Sequence, residues 1–328
     1  MSEGISFLRQ RKVSTSGRPA LGPASLIRVS TAANAVPRRY ELSEARFRRL
    51  AWWTVGWLVL IVATGATVRL TGSGLGCEHW PGCARGRFLP AQGFHSDVEF
   101  GNRVVAGITV FTTLVLALAS CAVRPLSRRL LTLSWLVFAG TLAQAPLGAI
   151  TIHYGLNPYL VITHLLLSLL VLGLGVVVAV GRVPPALPSR VRAASALLLV
   201  AVTVLVVTGT LSTAAGKFPG SSGDRHVRRL GSFESAVALH VKAVAAFGLC
   251  FLLIAAWAWL HRRRHAWLLR ACVGLLALLA GQMIVGEFQY RLYGTIPWSV
   301  VLLHVTLAAA LFAWTVALVT RVWRPVRN

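Results

Sequence analysis

The chain has 328 residues, of which 56% are hydrophobic and 13% are charged, a balance that soluble globular proteins of this length do not show. Its mean hydropathy of +0.69 is typical of a polytopic membrane protein. A net charge of +24 would suggest a nucleic-acid ligand in a soluble protein. Here the basic residues cluster between apolar runs, where they set membrane orientation, so nucleic-acid binding is excluded as the first interpretation.

Eight apolar runs are long enough to cross a membrane, since a helical span needs about 20 mostly apolar residues. They lie near residues 50–69, 99–122, 130–152, 158–181, 192–214, 233–260, 267–290 and 297–320. The sequence therefore predicts an all-α polytopic membrane protein with eight transmembrane helices.

The distribution of basic residues predicts the orientation of these spans. Most of them precede Ala51, follow spans two, four and six, or end the chain, and all of these positions lie on one side. By the positive-inside rule, both termini are therefore cytoplasmic. The loop after span five goes against the rule, because it carries Lys217, Arg225, Arg228 and Arg229.

Residues 1–45 mix Ser, Pro, Gly and Arg without apolar periodicity, which is the composition of a disordered cytoplasmic tail. An organellar transit peptide is the alternative, because such peptides are also rich in Arg and poor in acidic residues. Residues 183–190 are predicted to form a cytoplasmic linker, and residues 322–328 a second cytoplasmic tail.

The two halves of the chain repeat one pattern of polar residues in apolar surroundings. Four pairs align at nearly the same offset along the chain: Asn102 with His240, Gln144 with Gln282, Gly148 with Gly286, and His164 with His304. The repeat predicts two tandem four-helix bundles, residues 46–182 and 191–321. Because four is an even number, the bundles have the same orientation and are related by a pseudo-two-fold axis along the membrane normal.

Three histidines, His164, His240 and His304, lie inside apolar spans, where an ionisable group is costly and a functional role is the first expectation. The alternative is a histidine hydrogen-bonded across a helix interface. All three lie about two turns from the outer side. Imidazoles at equal depth on facing helices can bind a haem iron from both faces. His240 and His304 form such a pair, whereas His164 faces Asn102, so the first-half pair is incomplete.

Charged residues lie at the outer ends of the first two spans. Glu99 precedes Asn102 by one turn on the same helical face, towards His164. A carboxyl beside a low-dielectric cavity can exchange protons, whereas the alternatives are solvation by lipid headgroups or pairing with Arg103. Arg69 and Arg103 are candidates for pairing with haem carboxylates, or for anchoring their helices at the interface.

The first outer loop, residues 71–98, contains the run TGSGLGCEHWPGC. Cys77 and Cys83 flank a Trp-Pro-Gly turn on the oxidising side and can close a small disulfide ring. Such a ring is either a pair that exchanges easily or a staple of the loop.

This loop, the EFGNR run at Glu99 and three of the four repeat-related intramembrane histidines together resemble the haem A synthase family, over residues from about 50 to 320. The resemblance implies that a ring methyl of haem O is oxidised to a formyl group, giving haem A for terminal oxidases. In the better-known form of the family, the position of Asn102 is His. The EFGNR form is similar to actinobacterial members, and the departure puts two-sided ligation of the substrate iron in doubt.

The resemblance also implies the roles of the site residues. The second half would hold haem b as a cofactor on His240 and His304, and the first half would bind the substrate near Asn102 and His164. Catalysis would lie at Glu99, with the pair Cys77 and Cys83 as the second candidate.

For partners, the resemblance implies haem O, a haem O synthase, an electron donor and the lipid of a bacterial plasma membrane, with the oligomeric state left open. Two other classes of protein remain. A membrane cytochrome b that exchanges electrons with quinone explains His240 and His304, but gives Glu99 and the cysteine ring no role. A transporter explains the duplication, but neither half shows a broken helix with a central charge.

Overall fold

The computed structural model describes residues 41–77, 79, 82–90, 93–123, 127–180, 187–221 and 227–323. This part of the chain forms eight helices: α1 (Glu44–Leu70), α2 (Phe94–Ala122), α3 (Arg128–His153), α4 (Pro158–Ala179), α5 (Ser189–Ala215), α6 (Phe233–Leu260), α7 (Ala266–Arg291) and α8 (Trp298–Trp323). All eight are long and apolar enough to span a membrane, which confirms the predicted class.

The predicted tails and linker fall largely outside the described residues. The tail predicted for 1–45 is described from residue 41, and α1 already begins at Glu44. The linker predicted for 183–190 is described from residue 187, and the C-terminal tail only as far as the end of α8 at Trp323. The remaining parts of these three predictions stay predictions.

Short polar residues begin several of the helices where the apolar runs start. The side chains of Ser43, Ser127 and Ser232 accept hydrogen bonds from backbone N–H groups in the first turns of α1, α3 and α6. Asn157 does the same for α4, and Pro158 follows at the first helical position, where its missing N–H costs nothing. These caps fix the points at which the chain enters each span.

Each half of the chain closes into a ring of four helices. In the first ring α1 packs against α2 and α4, and α3 packs against the same two helices. In the second ring α5 packs against α6 and α8, and α7 packs against the same two helices. The halves meet through α1 with α8, α4 with α5, and α4 with α8. This set of contacts is unchanged when the two rings are exchanged, which supports the predicted pseudo-two-fold relation, although the axis itself stays a prediction.

A related arginine closes each ring at the end opposite to the cysteine loop. Arg48 of α1 donates hydrogen bonds to the carbonyl oxygens of Val178 and Ala179, where α4 ends, at 3.4 and 3.3 Å. Arg192 of α5 lies 5.8 Å from the ring centre of Trp323, where α8 ends. A cation stabilises the negative end of a helix dipole, so in each half the first helix holds the end of the fourth.

At the other end, which we call the Cys-loop end, the connections after α1, α3, α5 and α7 lie together. The backbone N–H of Gly74 donates to the carbonyl oxygen of Gly220 at 2.8 Å, and Ser73 forms an isolated bridge with Ser221. Leu156, in the left-handed region at φ 60°, places its side chain against both glycines. A Cβ at Gly74 would lie 2.7 Å from the Gly220 oxygen, so a glycine is required there. These contacts join the loops of the two halves.

The interior is a continuous apolar core, and its largest fully buried side chains include Phe47, Leu172, Leu198, Phe247 and Leu318. Large apolar side chains are also exposed on every one of the eight helices. Helices that are apolar both inside and outside are typical of membrane bundles, because lipid replaces water at the outer surface.

The contact between α3 and α4 depends on the absence of a side chain at Gly140. A Cβ added there would lie 2.6 Å from Cγ2 of Val171, which is buried and has little rotamer freedom. We therefore expect Gly140→Ala to destabilise the protein by about 1–3 kcal/mol through overpacking, measured as a lower thermal unfolding temperature in detergent. Gly248→Ala is the control, because nothing lies within 4 Å of its added Cβ. Equal unfolding temperatures for the two variants would contradict this packing.

Candidate functional site

His240 of α6 lies against a Thr-Gly pair on α5. Its Nδ1 is 3.1 Å from Oγ1 of Thr208. A Cβ added at Gly209 would lie 3.2 Å from its Cε1, which is closer than most real contacts of a Cβ atom. Thr208 thus supplies a polar partner for the ring, and Gly209 supplies the space for it.

His304 of α8 packs in a comparable way against Gly286 of α7, where an added Cβ would lie 3.3 Å from the imidazole Cε1. Gln282 donates a hydrogen bond to the backbone carbonyl of His304 at 2.8 Å. Nδ1 of His304 is buried and has no partner among the described residues. His304 lies on α8 and His240 on α6, and their pairing on one haem iron stays a prediction.

The first half repeats this arrangement with one residue changed. Thr64 of α1 donates a hydrogen bond to Oδ1 of Asn102 at 2.8 Å, and the added Cβ of Gly65 would lie 4.0 Å from the same oxygen. His164 packs against Gly148 of α3, with a corresponding distance of 3.6 Å to Cε1, and its buried Nδ1 has no partner. In the described part of the chain, Asn102 and His164 share no hydrogen bond, and each contacts a neighbouring helix instead.

Sequence reasoning missed the two Thr-Gly pairs. Thr64 with Gly65 and Thr208 with Gly209 occupy equivalent places near the Cys-loop ends of α1 and α5. The signal was present, because the dipeptide recurs at an offset close to that of the aligned histidines.

Glu99 is bound to the cysteine loop and is not solvated. Its side chain is 4% exposed, and Oε2 accepts a hydrogen bond from the backbone N–H of Cys77 at 2.9 Å. Oε1 forms an ion pair with Arg103 at 2.6 Å. Of the interpretations that the sequence left open, the pairing with Arg103 is present. The expected orientation towards His164 is not visible as any hydrogen bond of Glu99 within the described residues.

Arg103 also binds directly to the loop that Cys77 and Cys83 close. Arg103 donates hydrogen bonds to the backbone carbonyl oxygens of His79, at 2.8 Å, and of Gly82. Cys77 and Cys83 are joined by a disulfide around these two residues. Glu99, Arg103 and the closed loop therefore form a single bonded unit, in which removing one charge would leave the other buried without its partner.

Arg69 contacts the opposite half of the protein. Its Nη2 donates a hydrogen bond to the backbone carbonyl of Thr213, close to the end of α5, at 3.2 Å. Its Nε is buried and has no partner. Arg69 therefore lies where the two bundles meet and retains one unused donor, whereas Arg103 is engaged by Glu99 and the loop.

The fold and this site define a polytopic helical membrane protein with repeat-related intramembrane imidazoles near a disulfide-closed loop. The family model COX15-CtaA, described as cytochrome oxidase assembly protein, matches residues 48–316. The chain therefore belongs to the COX15-CtaA family of cytochrome oxidase assembly proteins.

Characterised relatives share part of this sequence. The heme A synthase of Geobacillus kaustophilus (strain HTA426) is 37% identical over 107 residues, or 32% of this chain and 33% of that protein. The heme A synthase of Bacillus pumilus (strain SAFR-032) is 35% identical over 119 residues, which are 34% of this chain and 37% of that protein. A protoheme IX farnesyltransferase of Thermus thermophilus is 40% identical over 76 residues, which are 23% of this chain and 12% of that protein. The resemblance to the haem A synthase family is thereby confirmed, and the alignments with the two synthases span 33% and 37% of their lengths.

The ion pair of Arg103 with Glu99 should keep the disulfide loop closed. We expect Arg103→Ala to make the bond between Cys77 and Cys83 about tenfold or more easier to reduce, because a buried carboxylate without its partner opens the loop. The measurement is the rate at which thiols become available to a maleimide during treatment with dithiothreitol. Arg291→Ala is the control, since its ion pair with Glu287 has the same spacing but is exposed. Equal rates in the two variants would contradict the role of Arg103.

Proposed function

We propose that this protein is a haem A synthase, which oxidises a ring methyl of haem O to a formyl group and so supplies haem A for terminal oxidases. The observation that carries the proposal is a repeated set of residues, which we call the frame: a Thr-Gly pair on the first helix of each half and a glycine on the third. The frame contacts two histidines in the second half, and one histidine and Asn102 in the first. The membership of the COX15-CtaA family and the similarity to heme A synthases support it.

The residues of the second half fit a resident haem b. Nδ1 of His240 is hydrogen-bonded to Thr208, Nδ1 of His304 is buried without a partner among the described residues, and each ring packs against a glycine of a neighbouring helix. When bound, the haem would supply an electron-transfer centre, and His240 and His304 would hold its iron. A Cβ added at the facing glycine would lie 3.2 and 3.3 Å from the rings of His240 and His304, and 3.6 Å from the ring of His164. The closer approach in the second half supports a ring that is held permanently.

The first half is proposed to bind haem O. His164 would hold the substrate iron from one side, whereas Asn102, a neutral amide, is a poor ligand for haem iron. Affinity would then depend on burial of the apolar tetrapyrrole and on contacts with its carboxylates. Of the two candidate arginines, Arg69 is better placed for these contacts, since it has an unused donor and Arg103 is engaged.

Glu99 is the proposed catalytic residue. Conversion of a methyl group to a formyl group is a four-electron oxidation that adds an oxygen atom and releases protons (R–CH3 + H2O → R–CHO + 4 H+ + 4 e−), so an external oxidant must take the electrons. A carboxylate at the site can accept the protons. Through Cys77 and Arg103, the position of Glu99 is tied to the disulfide loop. These bonds support a positioning role for the disulfide of Cys77 and Cys83, and exchange of the disulfide during turnover is the second possibility for the pair.

The proposed location is a bacterial plasma membrane, with several spans and both termini in the cytoplasm. The clusters of basic residues on the side of the termini support this orientation and place the Cys-loop end outside. The proposed partners are a haem O synthase and an electron donor, in addition to membrane lipid. A homo-oligomer is also compatible with the proposal.

The test is analysis of haem in cells that express this protein together with a haem O synthase. We expect the purified protein to contain haem b and the cells to gain haem A. In Glu99→Gln, haem b should be retained, while formation of haem A should fall by about 10²-fold or more, because the variant loses both the proposed proton acceptor and the ion pair with Arg103.

Glu287→Gln is the control for this experiment, since Glu287 also pairs with an arginine near the Cys-loop end, but is exposed. A normal rate in Glu99→Gln would contradict the role of Glu99. Haem b without any formation of haem A by the unaltered protein would contradict the synthase and favour an electron carrier.

A further inference from the structure

The function proposed above uses the hydrogen bond between Thr208 and His240 as support for a haem, but gives Thr208 itself no role. Thr208 is 4% exposed, and its Oγ1 lies 3.1 Å from Nδ1 of His240. The same oxygen lies 3.0 Å from the carbonyl oxygens of Val204 and Leu205, one turn earlier on α5.

The number of protons available decides which group donates. A threonine hydroxyl has a single proton, and a carbonyl oxygen only accepts. The hydroxyl of Thr208 can give its proton to Val204 or Leu205, and its oxygen then accepts from Nδ1 of His240. This contact therefore favours the tautomer with the proton on Nδ1, which leaves the lone pair of Nε2 free.

The other two intramembrane histidines lack this support. Nδ1 of His164 and Nδ1 of His304 are each buried without a partner in the described part of the chain. What holds His304 is a bond from Gln282 to its backbone carbonyl, which does not fix the ring. The two histidines of the second half are thus unequal, because one ring is oriented by a side chain and the other only by packing.

We propose that Thr208 is a positioning residue, which holds His240 in the tautomer that presents Nε2 to a haem iron. His240 is then the anchored axial ligand, and His304 is the ligand with more freedom to reorient. This inference rests on the proposed haem of the second half. A hydrogen bond to the distal nitrogen of a ligating histidine orients the ring and raises its basicity, so its loss weakens metal binding.

The first half has the same Thr-Gly pair, although the residue that it contacts on the second helix is not a histidine. Thr64 donates to the side-chain oxygen of Asn102 at the position where Thr208 accepts from His240, although a neutral amide is a poor ligand for iron. The Thr-Gly pair is therefore a general device of these bundles for fixing a polar side chain on the second helix. In the second half it fixes a nitrogen ligand.

The experiment compares substitutions at two neighbouring threonines of α5. Thr208→Val and Thr208→Ala remove the hydroxyl, and Thr208→Ser retains it. Thr210→Val is the matched control, because Thr210 is equally buried and its hydroxyl bonds only to the backbone of Val207 among the described residues. For each purified protein, we would measure haem loss to an acceptor protein and the electron paramagnetic resonance spectrum of the ferric haem.

We expect Thr208→Val and Thr208→Ala to raise the dissociation constant for haem by about tenfold or more and to shift the g-values of the low-spin signal. Thr208→Ser and Thr210→Val should match the unaltered protein. Haem retention and g-values in Thr208→Val that equal those of Thr210→Val would overturn the inference alone. An unaltered protein that binds no low-spin haem would overturn the proposed function, and this inference with it.

Discussion

The close approach of each key polar side chain to a glycine on a neighbouring helix is the constraint on which this site depends. An imidazole needs a gap in the facing helix, and at Gly209 and Gly286 an added Cβ would lie only 3.2 and 3.3 Å from the rings of His240 and His304. Protein interiors have little unused volume, so such gaps have to be built into the helix contacts. The helices that carry these glycines therefore fix the depth at which His240 and His304 can lie.

Duplication explains why the two halves resemble each other. Both halves keep the Thr-Gly pair on the first helix and the glycine on the third. In the first half, however, Asn102 takes the place of the histidine, and a disulfide loop is bonded to Glu99 and Arg103. The second half has two histidines. The proposed resident cofactor and the proposed exchangeable substrate would place such different demands on one bundle.

The sequence was sufficient to predict the eight spans, because the length of each apolar run alone sets them. It also singled out the three intramembrane histidines as candidate site residues, because ionisable residues are rare in spans. It could not predict the partner of His240, since Thr208 lies on another helix and threonine is ordinary in a membrane helix. Spacing along α2 did suggest the pair of Glu99 and Arg103. It could not show that both side chains reach into a loop, because that depends on how the loop folds back.

The most direct test of the account is to restore the missing ligand. Electron paramagnetic resonance of the ferric protein should show one low-spin signal with two histidine ligands, from the second half. In Asn102→His supplied with haem O, a second signal of this type should appear, because the frame of Thr64 and Gly65 would then present an imidazole opposite His164. The same addition to the unaltered protein should not produce it. A spectrum of Asn102→His that haem O leaves unchanged would show that Asn102 and His164 do not face one substrate iron, and would contradict the account.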